Sequence, residues 1–414
     1  MRKRYARARA ALTLVATWAV LAGAGVADAL PATAAAEPVR ATGTTVLAPG
    51  IRYTTLDLRM PGGTAHAHLL TADLRVRHVT ADLLTPGAVA RRGTVSAMAD
   101  ARGAVAAVNG DFFNIEESQH PGVEPTGSAD GPAVSSGRVL KSAVPDGQRF
   151  GPALPAGTST RDVFVLGTDR RARLDELTLR GTVRTPHGVL RLGGLNQYAV
   201  PVGGVGAYTA AWGATSRARA VCGTDTVRAA PCTTDAYEVT VRRGRVVATA
   251  ESPGAGAVAG DSVVLVGREG GAQALRALHR GDRVAVSAAL RARTTGRLKF
   301  AVGGFPVLRG GLPLPDLDTG AAAVRTAIGT GSDGRTLYLL GLDGATGSAR
   351  LTVAQLAEVM RELGAADAMN LDGGGSTEVV ERAPGSHSVT VVNHPSDGAE
   401  RPVAEAVGLF AGRG

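Results

Sequence analysis

From Ile51 to Leu84 apolar and polar residues alternate, clearly so in Ala65-His66-Ala67-His68-Leu69 and Leu74-Arg75-Val76-Arg77. A period of two predicts strands with one face buried. Further short β-like runs follow at Val163–Leu166, Tyr237–Val241, Arg245–Ala250, Ser262–Val266 and Arg283–Ala289, parted by glycine turns. Another strand pair begins at Arg325, turns through Gly331-Ser332-Asp333-Gly334 and returns over Thr336–Leu340. A helical period appears at Val353, Leu356, Ala357 and Met360, opened by a Thr352/Gln355 capping box and stopped by Gly364. A shorter helix-like run, Val95 to Arg102, ends at Gly103. The pattern predicts an α+β fold: mixed β-sheets flanked by helices, with a β-rich elaboration over 160–295 between two motif-bearing halves. Residues 37–50, small and polar, read as a flexible tether before a main domain over 51–414, and the Gly-, Pro- and Ser-rich stretch 114–160 reads as long functional or mobile loops.

The two halves share one unit of helix, glycine, apolar strand, asparagine and acidic turn. Asn109 stands six residues after Gly103, and Asn370 stands six residues after Gly364. Gly110-Asp111 follows the first asparagine, and Asp372-Gly373 lies just beyond the second. Neighbouring buried strands would bring both turns to one sheet edge, where open sheets build sites.

The second turn, Asn370-Leu371-Asp372-Gly373-Gly374-Gly375-Ser376-Thr377, is the densest in candidate chemistry. Three glycines leave the backbone bare and free to adopt positive φ, so amides can cradle an anion. Asp372 and Asp111 are candidate acid/base or nucleophilic carboxylates, a pair of which commonly flanks a glycosidic bond under hydrolysis. Capping a turn is the ordinary alternative for an Asp beside Gly. Arg325 can fork two donors onto a phosphate or carboxylate, or serve as a solvated surface charge. Phe112 and Phe113 wall a pocket or pack in the core. Trp212 reads first as a core residue and second as a platform for a sugar ring. His66 and His68 share a strand face without an apparent third metal ligand, and no G-x-S-x-G elbow is present.

The ends and the composition narrow the setting. Basic residues from Arg2 to Arg9, an apolar run to Ala27 and the small residues Ala34-Ala35-Ala36 mark residues 1–36 as a signal peptide. Its removal takes five basic residues and Asp28 from a formal net charge of +9. Lysine occurs only at Lys3, Lys141 and Lys299, and no basic patch is interleaved with aromatics, which argues against a nucleic-acid partner. A weak attraction to anionic cell-wall polymers fits the remaining charge. No later segment is apolar for long enough to span a bilayer, so the expectation is a secreted, extracellular protein without a stable membrane anchor. Cys222 and Cys232, the only cysteines, are expected to form a disulfide in an oxidising compartment, contributing roughly 2–3 kcal/mol. Metal ligation is the less favoured alternative, with no His or Cys nearby to complete it.

Four segments, in order, resemble the signatures of the phosphodiester glycosidase family: Asn109–Phe113, Arg325–Gly329, Asn370–Thr377, and Val392–Gly398 followed by Arg401. The resemblance covers roughly 95–150 and 295–414. It implies hydrolysis of the bond between a sugar's anomeric carbon and a phosphodiester, with a sugar phosphodiester or phosphorylated glycan as partner. It places Asp372 first and Asp111 second as the carboxylate, Arg325 as the cation, and Asn109, Gly110, Thr326, Asn370, Gly373, Gly374, Gly375, Ser376, Thr377, Asn393 and Arg401 around the substrate. Two departures stand out. Asp343-Gly344 is followed by Ala345 where the family often has arginine, and Gly110-Asp111 stands where it often has two glycines. No cofactor is expected, although the aspartates leave room for a divalent cation such as calcium. Two other readings stay open: a non-hydrolytic exopolysaccharide-processing or polysaccharide-binding protein, and a metal-dependent phosphodiesterase.

Overall fold

The computed structural model describes residues 38–412; the expected signal peptide, 1–36, lies outside them. Two sheets lie face to face. The larger has eight strands in the order Val39–Ala48, Ile51–Met60, Gly63–Asp73, Thr336–Leu342, Thr326–Thr330, Asp367–Asn370, Phe305–Arg309 and Leu312–Pro313. The smaller has five: Thr390–Val391, Val379–Glu381, Ala106–Asn109, Ala406–Ala411 and Val79–Leu84. Every pairing in both is antiparallel.

The near-continuous apolar runs follow from burial on both faces. Ile328, Leu339, Met369, Val108 and Val379 fill the space between the two sheets. Their chain neighbours point the other way, as alternation along a strand requires. Ala327, Leu340 and Ala368 meet Leu356 and Met360 of helix α3, Val353–Glu362. Ala107 and Val380 meet Val95, Met98 and Ala99 of helix α1, Val95–Arg102. A helix thus covers the outer face of each sheet. Both helices start on threonine caps, and in α3 the cap is reciprocal: Gln355 N donates to Thr352 Oγ1 at 3.2 Å, and Thr352 N to Gln355 Oε1 at 2.9 Å.

Two more sheets occupy the middle of the chain. In one, Ala172–Thr185 pairs with Gly188–Arg191, Asp162–Gly167 and Ala285–Ala292, and the sheet continues through Leu298–Gly303 to Ala133–Ser135 and Arg138–Lys141. In the other, Ala236–Arg242 lies between Arg245–Ala250 and Ser262–Arg268, and the short helix α2, Gly270–Arg276, packs Ala272 and Leu275 on it. Cys222 and Cys232 are joined as a disulfide, and Trp212 is buried. Strand accounts for 41% of the structure and helix for 9%, so the α+β architecture leans strongly to β.

Three details differ from expectation. The strands ending at Asn109 and Asn370 belong to different sheets, so their turns do not share one sheet edge. Most of the expected tether is an edge strand, Val39–Ala48, paired with Ile51–Met60. Its Val and Thr residues suit extended backbone, and their polarity reflects an edge facing solvent. Within 114–160, residues 126–135 are buried without a break, because their polar groups are satisfied inside the protein.

Thr352→Ala should lower stability by about 1 kcal/mol, because one amide at the start of α3 loses its acceptor. Thr352→Ser should keep most of that stability. Urea denaturation of the two variants checks it, and equal losses would show that the hydroxyl cap is not the cause.

Candidate active site

The two acidic turns meet across the gap between the sheets. Asp372 N donates to Gly110 O at 3.0 Å, and Asn109 Nδ2 donates to Asp372 O at 2.8 Å. Asn109 is fully buried; its Oδ1 accepts from Thr326 Oγ1 at 2.8 Å and from Glu378 N at 3.2 Å. Thr377 Oγ1 lies 3.1 Å from the same Thr326 hydroxyl. One amide side chain therefore ties four segments together. Gly110 is required by packing, since a β-carbon there would fall 2.9 Å from Glu405 Cγ and from its carbonyl oxygen.

Each glycine after Asp372 has its own reason. A β-carbon at Gly373 would meet Val324 O at 2.5 Å. Gly374 has φ 58°, the left-handed region where a side chain is disfavoured. Gly375 packs directly against the Asp397 carboxylate and the Arg401 guanidinium. The expected open nest of amides is largely occupied from within: Gly373 N donates to Asp372 Oδ1 at 2.9 Å, Gly374 N to Val324 O at 2.8 Å, and Ser376 N to Gly373 O at 3.1 Å.

Asp372 sits half-buried on this turn. Burial pushes its carboxyl up to about 6, and the charge of Asp130 adds to the effect. Hydrogen bonds from Ser376 and Gly373 and the charge of Arg401 oppose it. Arg401 is paired with Asp397 at 2.6 Å and reaches Ser376 Oγ at 3.3 Å. A carboxyl that titrates near 6 beside a hydroxyl and a guanidinium can act as a base or nucleophile around neutral pH.

Asp111 has a different place. It is buried, with Oδ1 accepting from Phe112 N at 2.8 Å and Oδ2 from Gly131 N at 2.6 Å. Burial, then the charge of Asp130, pushes it up to about 7. Asp130 accepts from Tyr198 Oη at 2.7 Å and Phe150 N at 2.8 Å. Lys141 donates to the carbonyls of Asp130, Gly131 and Ser142, and burial lowers it to about 8. Glu405, raised to about 8 by burial and then by Asp111, completes a buried group of four ionisable side chains.

The remaining expected residues divide. Asn393 is buried and pins the strand after the turn, accepting from Val379 N at 2.8 Å and donating to Thr377 O at 3.0 Å. Asn370 donates to Leu371 O at 2.7 Å, while its buried Oδ1 has no partner. Arg325, expected as the cation for the anion, turns to backbone instead: Nε donates to Leu351 O at 3.0 Å and a terminal nitrogen to Ala321 O at 2.7 Å. A buried guanidinium satisfies its fork on carbonyls, and Arg401 is the cation whose charge reaches Asp372. Among the described residues, no cluster of three or more His, Cys, Asp or Glu side chains is set to hold a metal ion.

Asp343 of the Asp-Gly pair, His394 of the closing segment and the strand residue His68 come together. Asp343 receives His68 at 3.3 Å and His394 at 2.9 Å, and His68 also meets Tyr53 Oη at 2.7 Å. Asp130 and Glu405 carry no motif; the Asp130-Gly131 pair is the available signal for the first, and nothing local marks the second. A cavity of about 1190 Å³, lined by residues between Ser142 and Ala274, includes no part of the Asp372 turn.

Part of the sequence and the fold are similar to known proteins. Residues 235–410 match the phosphodiester glycosidase family model, which bears out the resemblance carried by the motifs. The match takes in Arg325, Asp372 and Arg401 and stops short of Asn109, which the fold brings to Asp372. A hypothetical protein from Synechocystis aligns at a TM-score of 0.67 and 20% identity, over 91% of this chain and 64% of that one. The chain thus spans less than two thirds of that relative. A Burkholderia pseudomallei protein described as exported aligns at a TM-score of 0.63 and 23% identity, over 84% of this chain and 74% of that one. At such identities the likeness is one of fold. The zebrafish N-acetylglucosamine-1-phosphodiester α-N-acetylglucosaminidase catalytic domain gives a TM-score of 0.43 and 14% identity over 91% and 88% of the two chains, too low to bear on the fold. No curated protein matches.

The strand after the turn carries a pH-sensitive pair. Glu378 is buried, shares a hydrogen bond with Glu400, and is pushed up to about 9 by burial and then by Glu400. The folded state therefore holds a proton that the unfolded state releases near pH 4.5. The stability this contributes is complete below that pH and is lost as pH rises through about 9. Asp111, Asp372 and Glu405 act in the same direction, and Lys141 opposes them at its alkaline end. Glu378→Gln supplies a permanent donor to Glu400, so its melting temperature should gain on the wild type as pH goes from 5 to 9. A gap between the two that does not change with pH would remove the pair as the cause.

Proposed function

We propose that the protein is a secreted glycosidase that hydrolyses the bond between a sugar's anomeric carbon and a phosphodiester, on a cell-wall or extracellular glycan. The observation that carries this reading is the half-buried Asp372 carboxyl on the glycine turn, raised to about 6, with Arg401 reaching Ser376 of the same turn at 3.3 Å and its charge acting on Asp372. The family match over 235–410 supports the reaction class. The expected signal peptide and the Cys222–Cys232 disulfide support export. No helix among the described residues is long and apolar enough to cross a membrane.

In this mechanism Arg401 exchanges its contact with Asp397 for the phosphate oxygens and fixes the substrate's anionic end. Ionised Asp372 then either attacks the anomeric carbon, giving a glycosyl ester that water hydrolyses in a second step to free sugar and the carboxylate, or takes a proton from the water that attacks that carbon directly. The carbon–oxygen bond breaks, and its electron pair leaves with the phosphate monoester. Phosphate is a good leaving group, so the step does not need a strong general acid. Asp111 acts as a positioning residue through Gly131 and Phe112, and Asn109 holds the turn. The reaction as written uses no cofactor.

The test is incubation of the purified protein with a sugar 1-phosphodiester, with and without EDTA, and identification of the products. Free sugar plus intact phosphate monoester is expected. Cleavage on the other side of phosphorus would make the protein a phosphodiesterase, and binding without turnover would make it a binding module. Loss of activity in EDTA with recovery on adding calcium would add a cation to the site. Asp372→Asn should lower kcat/KM by about 10²–10⁴-fold. In the wild type, kcat/KM should rise as pH passes through about 6, because the ionised form of Asp372 is the active one. Full activity in the Asp372→Asn variant would sink the assignment.

A further inference from the structure

A second charged feature lies in the middle segment, where three chain turns converge. The hairpin turn at Arg243-Gly244, the strand end at Arg184-Thr185-Pro186 and the strand start at Arg283-Val284-Ala285 line a groove of about 730 Å³. Four of its nine lining residues are arginines, Arg184, Arg243, Arg245 and Arg283, and none is acidic. All four are exposed. Among the described residues some exposed arginines sit on a carboxylate, as Arg161 does on Glu176, and others, such as Arg91, Arg138 and Arg180, form no ion pair. Here only Arg243 sits on a carboxylate, and it shares Asp261 with Arg242. Among the described residues, Arg184, Arg245 and Arg283 form no ion pair, and Arg245 donates only to Gly281 O, at 2.9 Å.

The backbone makes this crowding unfavourable. Arg245 and Arg283 are direct partners in an antiparallel bridge, where like charges oppose each other. Arg184 is the register partner of Ala285, two residues along the same strand. Arg243 has φ 49° at the first position of a two-residue hairpin turn, a place that suits Asn or Gly. Repelling charges and a disfavoured residue at one tip make sense if an anion bridges the guanidiniums.

We propose that this groove binds the phosphodiester backbone of an extended glycan polymer, holding the chain whose linkages the Asp372 site cleaves. The proposal rests on the glycosidase reading for the polymer's identity. The lining offers guanidiniums for phosphate and no aromatic side chain for stacking bases or sugar rings, so the contact is with the polymer's phosphates.

The test measures binding apart from turnover. Surface-immobilised sugar-phosphate polymer is titrated with the full protein and with Arg184→Glu/Arg283→Glu, both in the Asp372→Asn background so that no cleavage intervenes. An uncharged glycan and single-stranded DNA serve as comparison surfaces. The reversal should weaken polymer binding by at least about tenfold, and both proteins should bind less as salt rises. In the active background, the double variant should raise KM for the polymer while leaving kcat/KM for a small sugar 1-phosphodiester unchanged. Unchanged polymer binding with an unchanged melting temperature would overturn the proposal, as would tighter binding to DNA than to the polymer. Polymer binding lost on reversal would stand even if no glycosidase activity were found, so the two readings fail separately.

Discussion

The site depends on one buried amide. Asn109 gives its donors and its acceptor to Asp372, Thr326 and Glu378, and those residues come from strands or turns of both facing sheets. Removed from water, such a side chain stabilises only if all its partners are in place. The hydrogen bonds therefore fix the sheets' relative position at the spot where Asp372 projects. The apolar layer between the sheets supplies most of the burial, but it is tolerant of small slides. Directional bonds from a buried amide are not.

Beneath that clasp the protein keeps an unusual density of ionisable groups. Asp111, Asp130, Glu405 and Lys141 are all buried, and the acids are raised mainly because the interior disfavours their charged forms. Backbone amides and Tyr198 offset part of that cost, as does Lys141. The same environment, less complete at the surface turn, brings Asp372 into the neutral range. A polar foundation thus sets both the geometry and the protonation of the half-buried carboxyl.

Much of this was readable from residue order. The periods of two and of 3.6 located about half of the strands and both longer helices, because local alternation and capping depend on neighbours in the chain. The paired asparagines also flagged two turns that truly meet. What residue order could not give was the partner across space. Nothing local distinguishes Arg325, which turns to Leu351 O and Ala321 O, from Arg401, which lies beside Ser376. The buried segment at 126–135 looked like a loose loop because its satisfying partners, Asn114 and Asp111, are remote or lie on another turn. The three glycines were legible as a special backbone, but their three separate causes were not.

The smaller sheet has a temporal implication. Its strand Ala406–Ala411 lies between Val79–Leu84 and Ala106–Asn109, pairing Val407 with both Leu83 and Val108. As the chain emerges from its N-terminal side, those two early strands have no shared neighbour until almost everything else has appeared. Their apolar edges stay open throughout that interval, which makes the nascent chain dependent on protection from self-association. The arrival of the last strand closes the sheet and seats Glu405 against Gly110 in the same event. Synthesis through the strand Ala406–Ala411 is thus built into the site as a condition of its assembly.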